Sequence, residues 1–423
     1  MFDIFASHMR LLYNAGIRIA AFSMRAAGAF NEKARLFVEG RSKLLQRMSN
    51  ALQKDKSQRV WIHCASLGEF EQGRPVMEAI RREFPDIKIV LTFFSPSGYE
   101  QRKNYPGADF IFYLPWDTSN NAREFVSIVD PSLAIFVKYE FWYNYTRTLL
   151  EKNIPVISIS SIFRDDQLFF QSYGTFYRNI LKSFSAFFVQ NDQSAKLLRS
   201  IGISNVTRAG DTRFDRVSQI VKGAEEIDIA KRFKNDQKLL VAGSCWAEDF
   251  DVLVPFINEQ RLKFIVAPHE ITEAAIREFE KSLQVKSVRF SMAESVKVED
   301  YSVLIIDNIG MLSRLYRYGE FAYVGGAFGK GLHNILEAAC YGVPIFFGNR
   351  NYQKFQEAMD LINRGGAFEI SDYNDLKNKY EMLNLPENFQ LACEVTRQYV
   401  EENLGATEKI MRYCRGILSG NRH

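Results

Sequence analysis

The 423-residue chain has little cysteine and spaces it without pattern. Cys64, Cys245, Cys340, Cys393 and Cys414 are odd in number and form no CxxC pair or Cys/His ligand set. A reducing compartment without a structural zinc site fits this usage. There is no low-complexity segment, and neither GxGxxG nor GxxxxGK[ST] occurs around the chain's glycine-rich stretch, so the dinucleotide fingerprint and the P-loop are excluded there. Long apolar runs are missing too. In "MRLLYNAGIRIAAFSMRAAGAF" the interruptions at Arg10, Arg18 and Arg25 keep every run short of the roughly 18 to 20 residues that cross a bilayer. A cleaved signal peptide is not expected, because no clear small-residue cleavage site follows and more basic helix-forming sequence does.

What is present is globular: 47% hydrophobic, 25% charged and 14% aromatic residues, in a chain long enough for two cores. The net charge of +4 is unevenly placed. Residues 1–50 carry eight Lys/Arg against three Asp/Glu, a local +5, so the rest sums to −1. Arginines spaced about seven apart fall near one face of a helix with Leu, Ile and Phe opposite, the pattern of a helix lying on an anionic membrane surface. The same pattern also serves an amphipathic helix packed on its own domain.

Beyond residue 50, short apolar runs alternate with helical stretches. "RVWIHCAS", "IKIVLTFF", "SLAIFVKYE", "IPVISISS" and "SAFFVQN" read as buried strands; "KLLVAGS", "LKFIVAPHE", "SVLIIDN", "FAYVGG" and "VPIFFG" form a second series. This βαβ alternation predicts an α/β protein with two doubly wound Rossmann-like domains facing a cleft, joined near residues 215–236. The expected boundaries are a basic N-terminal membrane-surface segment (1–50), an N-terminal domain (51–218), a C-terminal domain (219–400) and a final helix (401–423).

The unusual sequences fall at strand ends. In "AYVGGAFGKGLHNILEAACYGVPIFFG", Gly325, Gly326, Gly329 and Gly331 permit positive φ, and a helix expected from His333 or Asn334 would aim free N–H groups at an anion, with Lys330 adding charge. Asn334 and Glu337 are expected in that helix's first turn, where Glu337 is able to accept from ribose hydroxyls; a capped glycine turn is the alternative. In "SLGEF", Glu69 is a candidate general base on a loop over residues 66–73, with the next helix starting at Pro75. The alternative for Glu69 is an acid stabilised at a helix N-terminus. His63, inside an apolar strand, reads as a packed core histidine.

Taken together, "WIHCASLGEFEQGRPV", "FVKYEFWYN", "AGDTRFD", "AGSCWAED", "VAPHE" and "GGAFGKGLHNILEAACYGVPIFFGNRNYQKFQEA" resemble, in order and spacing, the 3-deoxy-D-manno-octulosonic acid (Kdo) transferases of lipopolysaccharide biosynthesis. The resemblance implies a GT-B glycosyltransferase. Its N-terminal domain would bind a lipid A precursor, its C-terminal domain CMP-Kdo, and its last helix would cross back to the first domain. It implies Glu69 as the base for an inverting transfer. It implies donor contacts at Ser244, Pro268, His269, Gly326, Gly331, Asn334 and Glu337, with Lys330 and Arg213 beside the phosphate; Arg213 stands where the family has a lysine. Ser66, Gly68, Glu140 and Arg164 are expected on the acceptor side. No cofactor, metal or nucleic acid is expected, since a monophosphate leaving group needs a cation less and no DxD pair stands out. The implied location is the cytoplasmic face of the inner membrane.

The chain also departs from the family. Pro268-His269-Glu270 replaces Pro-Arg-His, Leu332 replaces a glycine, Lys138 replaces an acid, and "SSIFRDDQ" follows the family only loosely. Rival readings are a UDP-sugar GT-B enzyme, a nucleotide-sugar epimerase of the same architecture, or an inactive membrane-surface module.

Overall fold

A computed structural model describes residues 2–223 and 225–420; residues 1, 224 and 421–423, which fall in the expected membrane segment, donor domain and final helix, lie outside the described residues. The chain divides into two compact units: Met1–Asp215 with Gly405–His423, and Arg216–Leu404.

The first unit is built on seven parallel strands: β1 (Arg59–Cys64), β2 (Lys88–Phe93), β3 (Phe110–Tyr113), β4 (Leu133–Val137), β5 (Val156–Ser161), β6 (Ala186–Val189) and β7 (Val206–Arg208). Their order is β3-β2-β1-β4-β5-β6-β7, so the winding reverses between β1 and β4. Every residue of β1, β4 and β5 is buried, as expected of strands covered on both faces. One face packs Ile62, Val76, Ile80 and Phe93 with Ile410, Met411, Cys414 and Leu418 of the helix Ala406–Leu418. That helix is fastened at its start by Asp215, which accepts from the N–H groups of Gly405 and Thr407, each at 2.6 Å. Arg415 pairs with Glu83 at 2.7 Å near its end.

The opposite face packs Trp61, Phe125, Phe136 and Tyr145 against Leu44, Met48 and Leu52. Leu44 and Met48 fall within the expected membrane-surface segment 1–50 yet join this core. The helices Glu32–Glu39 and Leu44–Leu52 bury Ala34, Phe37, Leu44, Met48 and Leu52, because their apolar faces complete the unit's own core. What differs is the first helix, Phe2–Ala27. One side of it is tied to the unit: the Tyr13 hydroxyl donates to Asp117 Oδ2 at 2.6 Å, and Asn144 Nδ2 donates to Asn14 Oδ1 at 3.0 Å. Leu11, Leu12, Ile19 and Phe22 are each 65–73% exposed. At 100° per residue these four fall on one stripe about 100° wide, and Arg18 and Arg25 border that stripe rather than oppose it. No described helix is long and apolar enough to cross a membrane.

The second unit has β8 (Leu239–Cys245), β9 (Lys263–Pro268), β10 (Ser287–Arg289), β11 (Val303–Ile305), β12 (Phe321–Val324), β13 (Ile345–Gly348) and β14 (Ala367–Ile370). They are parallel in the order β10-β11-β9-β8-β12-β13-β14, reversing between β8 and β12. Phe256, Phe264, Phe321, Phe346 and Tyr380 form its core.

Candidate functional site

In the first unit, β1 runs straight into a capping box. The Gly68 N–H donates to Ser66 Oγ at 3.3 Å, while Glu69 Oε2 accepts from the Ser66 N–H at 3.1 Å and from the Ser66 hydroxyl. The helix therefore begins at Leu67, Pro75 lies buried inside it, and the loop expected over residues 66–73 is absent. Reciprocal satisfaction of the first N–H groups outweighs the proline signal. Both bonds fall on Oε2 and leave Glu69 Oε1 uncommitted.

A second carboxylate follows β4. Lys138 adopts φ +68°, a left-handed conformation rare for a side-chain-bearing residue, and the chain turns so that Glu140 Oε2 accepts from Trp142 Nε1 at 2.6 Å and faces His63 Nε2 at 3.1 Å. Both acids act on the buried Cys64 thiol, which is pushed well up, first by burial and then by Glu69 and Glu140. Burial raises the Tyr139 hydroxyl, Arg164 pulls it down and Glu69 raises it again. A cavity of about 560 Å³ opens beside Glu140, lined by Tyr13, Tyr139, Trp142, Leu168 and Phe169.

Arg213 belongs to this unit, and its guanidinium is engaged. Nε and Nη2 donate to Asp211 Oδ2 at 2.9 and 2.7 Å, and the same oxygen receives Gln72 Nε2 and Gln190 Nε2, each at 3.1 Å. Burial works to raise the Asp211 carboxyl, but Arg213 and these bonds hold it below the ordinary range. The hydroxyls of Ser160, at φ +52°, and Thr212 meet nearby at 3.2 Å.

In the second unit the corresponding strand end is β8. Ser244 sits at φ +55° where the β8–β9 register slips, and the His269 N–H donates to Cys245 O at 2.8 Å. That brings His269, which follows Pro268, over Trp246 with ring centroids 3.9 Å apart. Trp246 Nε1 donates to His333 Nε2 at 3.0 Å, and Lys330 Nζ stands 3.8 Å over the indole. Asp249, wholly buried, binds the pieces together: Oδ2 accepts from the N–H groups of Trp246 and Gly326 at 2.8 and 2.9 Å, and Oδ1 from the Tyr323 hydroxyl at 2.6 Å. Burial, the largest influence, raises the Asp249 carboxyl.

The glycine loop differs from its expected form. The helix after it is only Leu336–Ala339, so Asn334 precedes the first turn, and the N–H groups of Gly329 and Gly331 are spent on Gly326 O, that of His333 on Gly325 O. No row of free amides is left at these positions; the loop closes on itself. Gly326 is required twice over, by φ +94° and by the His333 ring, whose Cδ2 would lie 2.8 Å from an added Cβ. Asn334 Oδ1 accepts from the Leu336 N–H at 3.3 Å, and its Nδ2 donates to Glu337 Oε1 at 3.1 Å.

The structure thus groups Ser66, Gly68, Glu69, Glu140 and Arg164 in the first unit, and Ser244, Pro268, His269, Gly326, Lys330, Gly331, Asn334 and Glu337 in the second. Sequence reasoning missed Trp246 and Asp249 and left His63 in the core. The spacing of Asp249 three residues after Trp246, at a helix start, is the one local signal that pointed to that pair. No cluster of three or more His, Cys, Asp or Glu suited to a metal occurs among the described residues.

Residues 42–216 match the family model described as 3-deoxy-D-manno-octulosonic-acid transferase (kdotransferase). The 3-deoxy-D-manno-octulosonic acid transferase of Aquifex aeolicus is 27% identical over 371 residues, covering 85% of this chain and 94% of its own. That of Haemophilus influenzae is 23% identical over 379 residues, covering 86% and 88%. Among solved structures, the UDP-GlcNAc 2-epimerase of Neisseria meningitidis bound to UDP-GlcNAc aligns with TM-score 0.57 at 13% identity, over 86% of this chain and 100% of that one. Acinetobacter baumannii MurG aligns with TM-score 0.53 at 11% identity, over 84% and 98%. At such identities the structural likeness speaks for the fold alone, the GT-B type. With a family model matched over residues 42–216 and relatives aligned across most of its length, the chain is similar to the 3-deoxy-D-manno-octulosonic acid transferases.

Proposed function

We propose that this protein is an inverting glycosyltransferase that moves Kdo from CMP-Kdo to a lipid A precursor, with Glu69 as general base. The observation that carries the reading is that Glu69 and Glu140, at the ends of the first unit's strands, are each held through Oε2 by their own donors, leaving Oε1 open. Glu69 Oε1 takes the proton of an acceptor hydroxyl as that oxygen attacks the anomeric carbon of Kdo; the C–O bond to the phosphate breaks and CMP leaves. Glu140, Arg164, Ser66 and Gly68 shape the acceptor side, Arg164 as a charge for an acceptor phosphate.

Donor contacts come from Ser244, Pro268, His269, Gly326, Gly331, Asn334 and Glu337. Lys330 and Arg213 offset the charge that builds on the departing phosphate. Release of Lys330 from Trp246 and of Arg213 from Asp211 accompanies that role. The exposed Leu11, Leu12, Ile19 and Phe22, bordered by Arg18 and Arg25, support a peripheral stay on an anionic membrane surface, the cytoplasmic face of the inner membrane.

The test is incubation of the purified chain with CMP-Kdo generated in situ and a lipid A precursor, followed by mass spectrometry. Product heavier by one or more Kdo residues is expected, and the increments count the transfers. Unchanged acceptor, together with tighter binding of UDP than of CMP, overturns the proposal in favour of a UDP-sugar enzyme.

A further inference from the structure

His63 is wholly buried in β1, beside the rings of Trp61 and Phe136 at centroid distances of 6.4 and 5.7 Å. A buried imidazole is costly unless both nitrogens are partnered, and both are. Nδ1 lies 2.9 Å from Thr92 Oγ1 and 3.2 Å from Thr92 O; Nε2 lies 3.1 Å from Glu140 Oε2.

The partner of Nε2 decides where a proton sits. An indole N–H only donates, and Trp61 Nε1 donates to Thr92 Oγ1 at 2.8 Å. Thr92 Oγ1 keeps a hydrogen and a second lone pair, so it can serve His63 Nδ1 in either role, while the Thr92 carbonyl 3.2 Å away only accepts. A bare Nε2 would set its lone pair against a carboxylate lone pair, so the proton sits on Nε2 and is donated to Glu140. Trp61, Thr92 and His63 are thus linked to one carboxylate oxygen, with His63 donating the last bond. Trp142 Nε1 reaches that same oxygen at 2.6 Å. Two donors on Oε2 fix the plane of the carboxylate, whose side chain is 13% exposed, and leave Oε1 as the oxygen offered to a ligand.

We infer that His63 is a positioning residue, acting from the core of β1 to orient Glu140 towards an acceptor hydroxyl. The inference rests on the proposed role of Glu140 on the acceptor side. It separates Glu140, an oriented hydrogen-bond acceptor with a protein donor behind it, from Glu69, whose oxygen is held only by the start of its own helix.

Two measurements test it. Long-range ¹H–¹⁵N spectra of the full chain labelled at its five histidines are expected to show His63 protonated at Nε2, with Glu140→Gln moving the His63 signals and sparing those of the other histidines. A protonated Nδ1 with bare Nε2, or indifference to Glu140→Gln, overturns the inference. In kinetics, His63→Phe keeps a ring but loses the donor, and should raise the acceptor KM about tenfold while the CMP-Kdo KM stays put. His63→Gln restores an N–H donor and should recover most of that loss; no recovery in a folded His63→Gln overturns the inference. If His63→Phe does not fold, Trp142→Phe removes the other donor from the same oxygen, and an unchanged acceptor KM there has the same force. Should the wild type transfer no Kdo at all, the proposed function fails while the spectra still decide the His63–Glu140 relationship.

Discussion

Trp246 and His333 are joined by a hydrogen bond between their rings: the indole N–H donates to Nε2 at 3.0 Å and the two rings lie 13° from parallel. His269 stacks on both, at 3.9 and 4.7 Å. The bond holds His333 neutral with its proton on Nδ1. Trp246→Phe keeps the stack and loses the donor, so CMP should bind about fivefold to tenfold more weakly by titration calorimetry. Burial first, then Lys330, holds the His269 imidazole below its ordinary 6.5 against the pull of Glu270; burial and His269 do the same to His333. The unfolded chain takes up these protons first as pH falls below 6.5, so the stack's contribution to stability is full above that value and declines beneath it. Equal pH dependence of melting in wild type and a Trp246→Phe, His333→Gln double variant would sink this account.

Glu69 has a structural duty and a proposed chemical one, and two substitutions separate them. Glu69→Gln keeps an oxygen to accept from the Ser66 N–H and should melt like the wild type, yet lose transfer by roughly 10²- to 10⁴-fold. Glu69→Ala should lose the same activity and about 1 kcal/mol of stability besides. Transfer surviving in Glu69→Gln removes the base assignment.

Asp117 clasps the first helix. Its carboxylate accepts from the Tyr13 hydroxyl and from the N–H groups of Asn144 and Tyr145, and burial outweighs those bonds to raise it to about 6 from 3.8. The folded value lies above the unfolded one, so the contribution is full below pH 3.8 and is lost as pH rises through about 6. The stability of wild type relative to Asp117→Asn should therefore fall by about 3 kcal/mol across that window, read from urea unfolding at several pH values. A flat difference contradicts the burial of a titrating carboxyl there.

The outer stripe of the first helix predicts its partner. Replacing Leu12, Ile19 and Phe22 by Ser should weaken binding to anionic vesicles by roughly tenfold or more, through loss of apolar burial. Arg18→Glu with Arg25→Glu should weaken it most at low salt, at about 1 kcal/mol for each basic residue lost. Neither change should alter melting, since these side chains face outward. Unaltered vesicle binding in both variants removes the membrane proposal and leaves the transferase reading standing.

Legibility divided along physical lines. The ten strands read from the sequence are present; the four missed, β3, β7, β10 and β14, are the outermost strands of the two sheets. Each is short and only partly buried, so its apolar pattern is diluted to a few residues. The start of the helix at Leu67 was open to view in Ser66 and Glu69 spaced as a capping box, but Pro75 drew the boundary too late. The glycine loop was visible as a loop. Its internal use of N–H groups was not, because that depends on how residues 325–333 fold back on one another.

Composition, periodicity and motif order by themselves pointed to a two-sheet α/β chain, to its resemblance to the Kdo transferases and to Glu69 as a candidate base, since these depend on which residues lie near each other in sequence. Only the tertiary structure decided that residues 32–52 serve a core, that His63 faces Glu140 across strands, and that Trp246, His269, His333 and Lys330 share one stack. Hydrogen bonds and ring contacts act over a few ångströms, and the partners in these cases come from segments tens of residues apart.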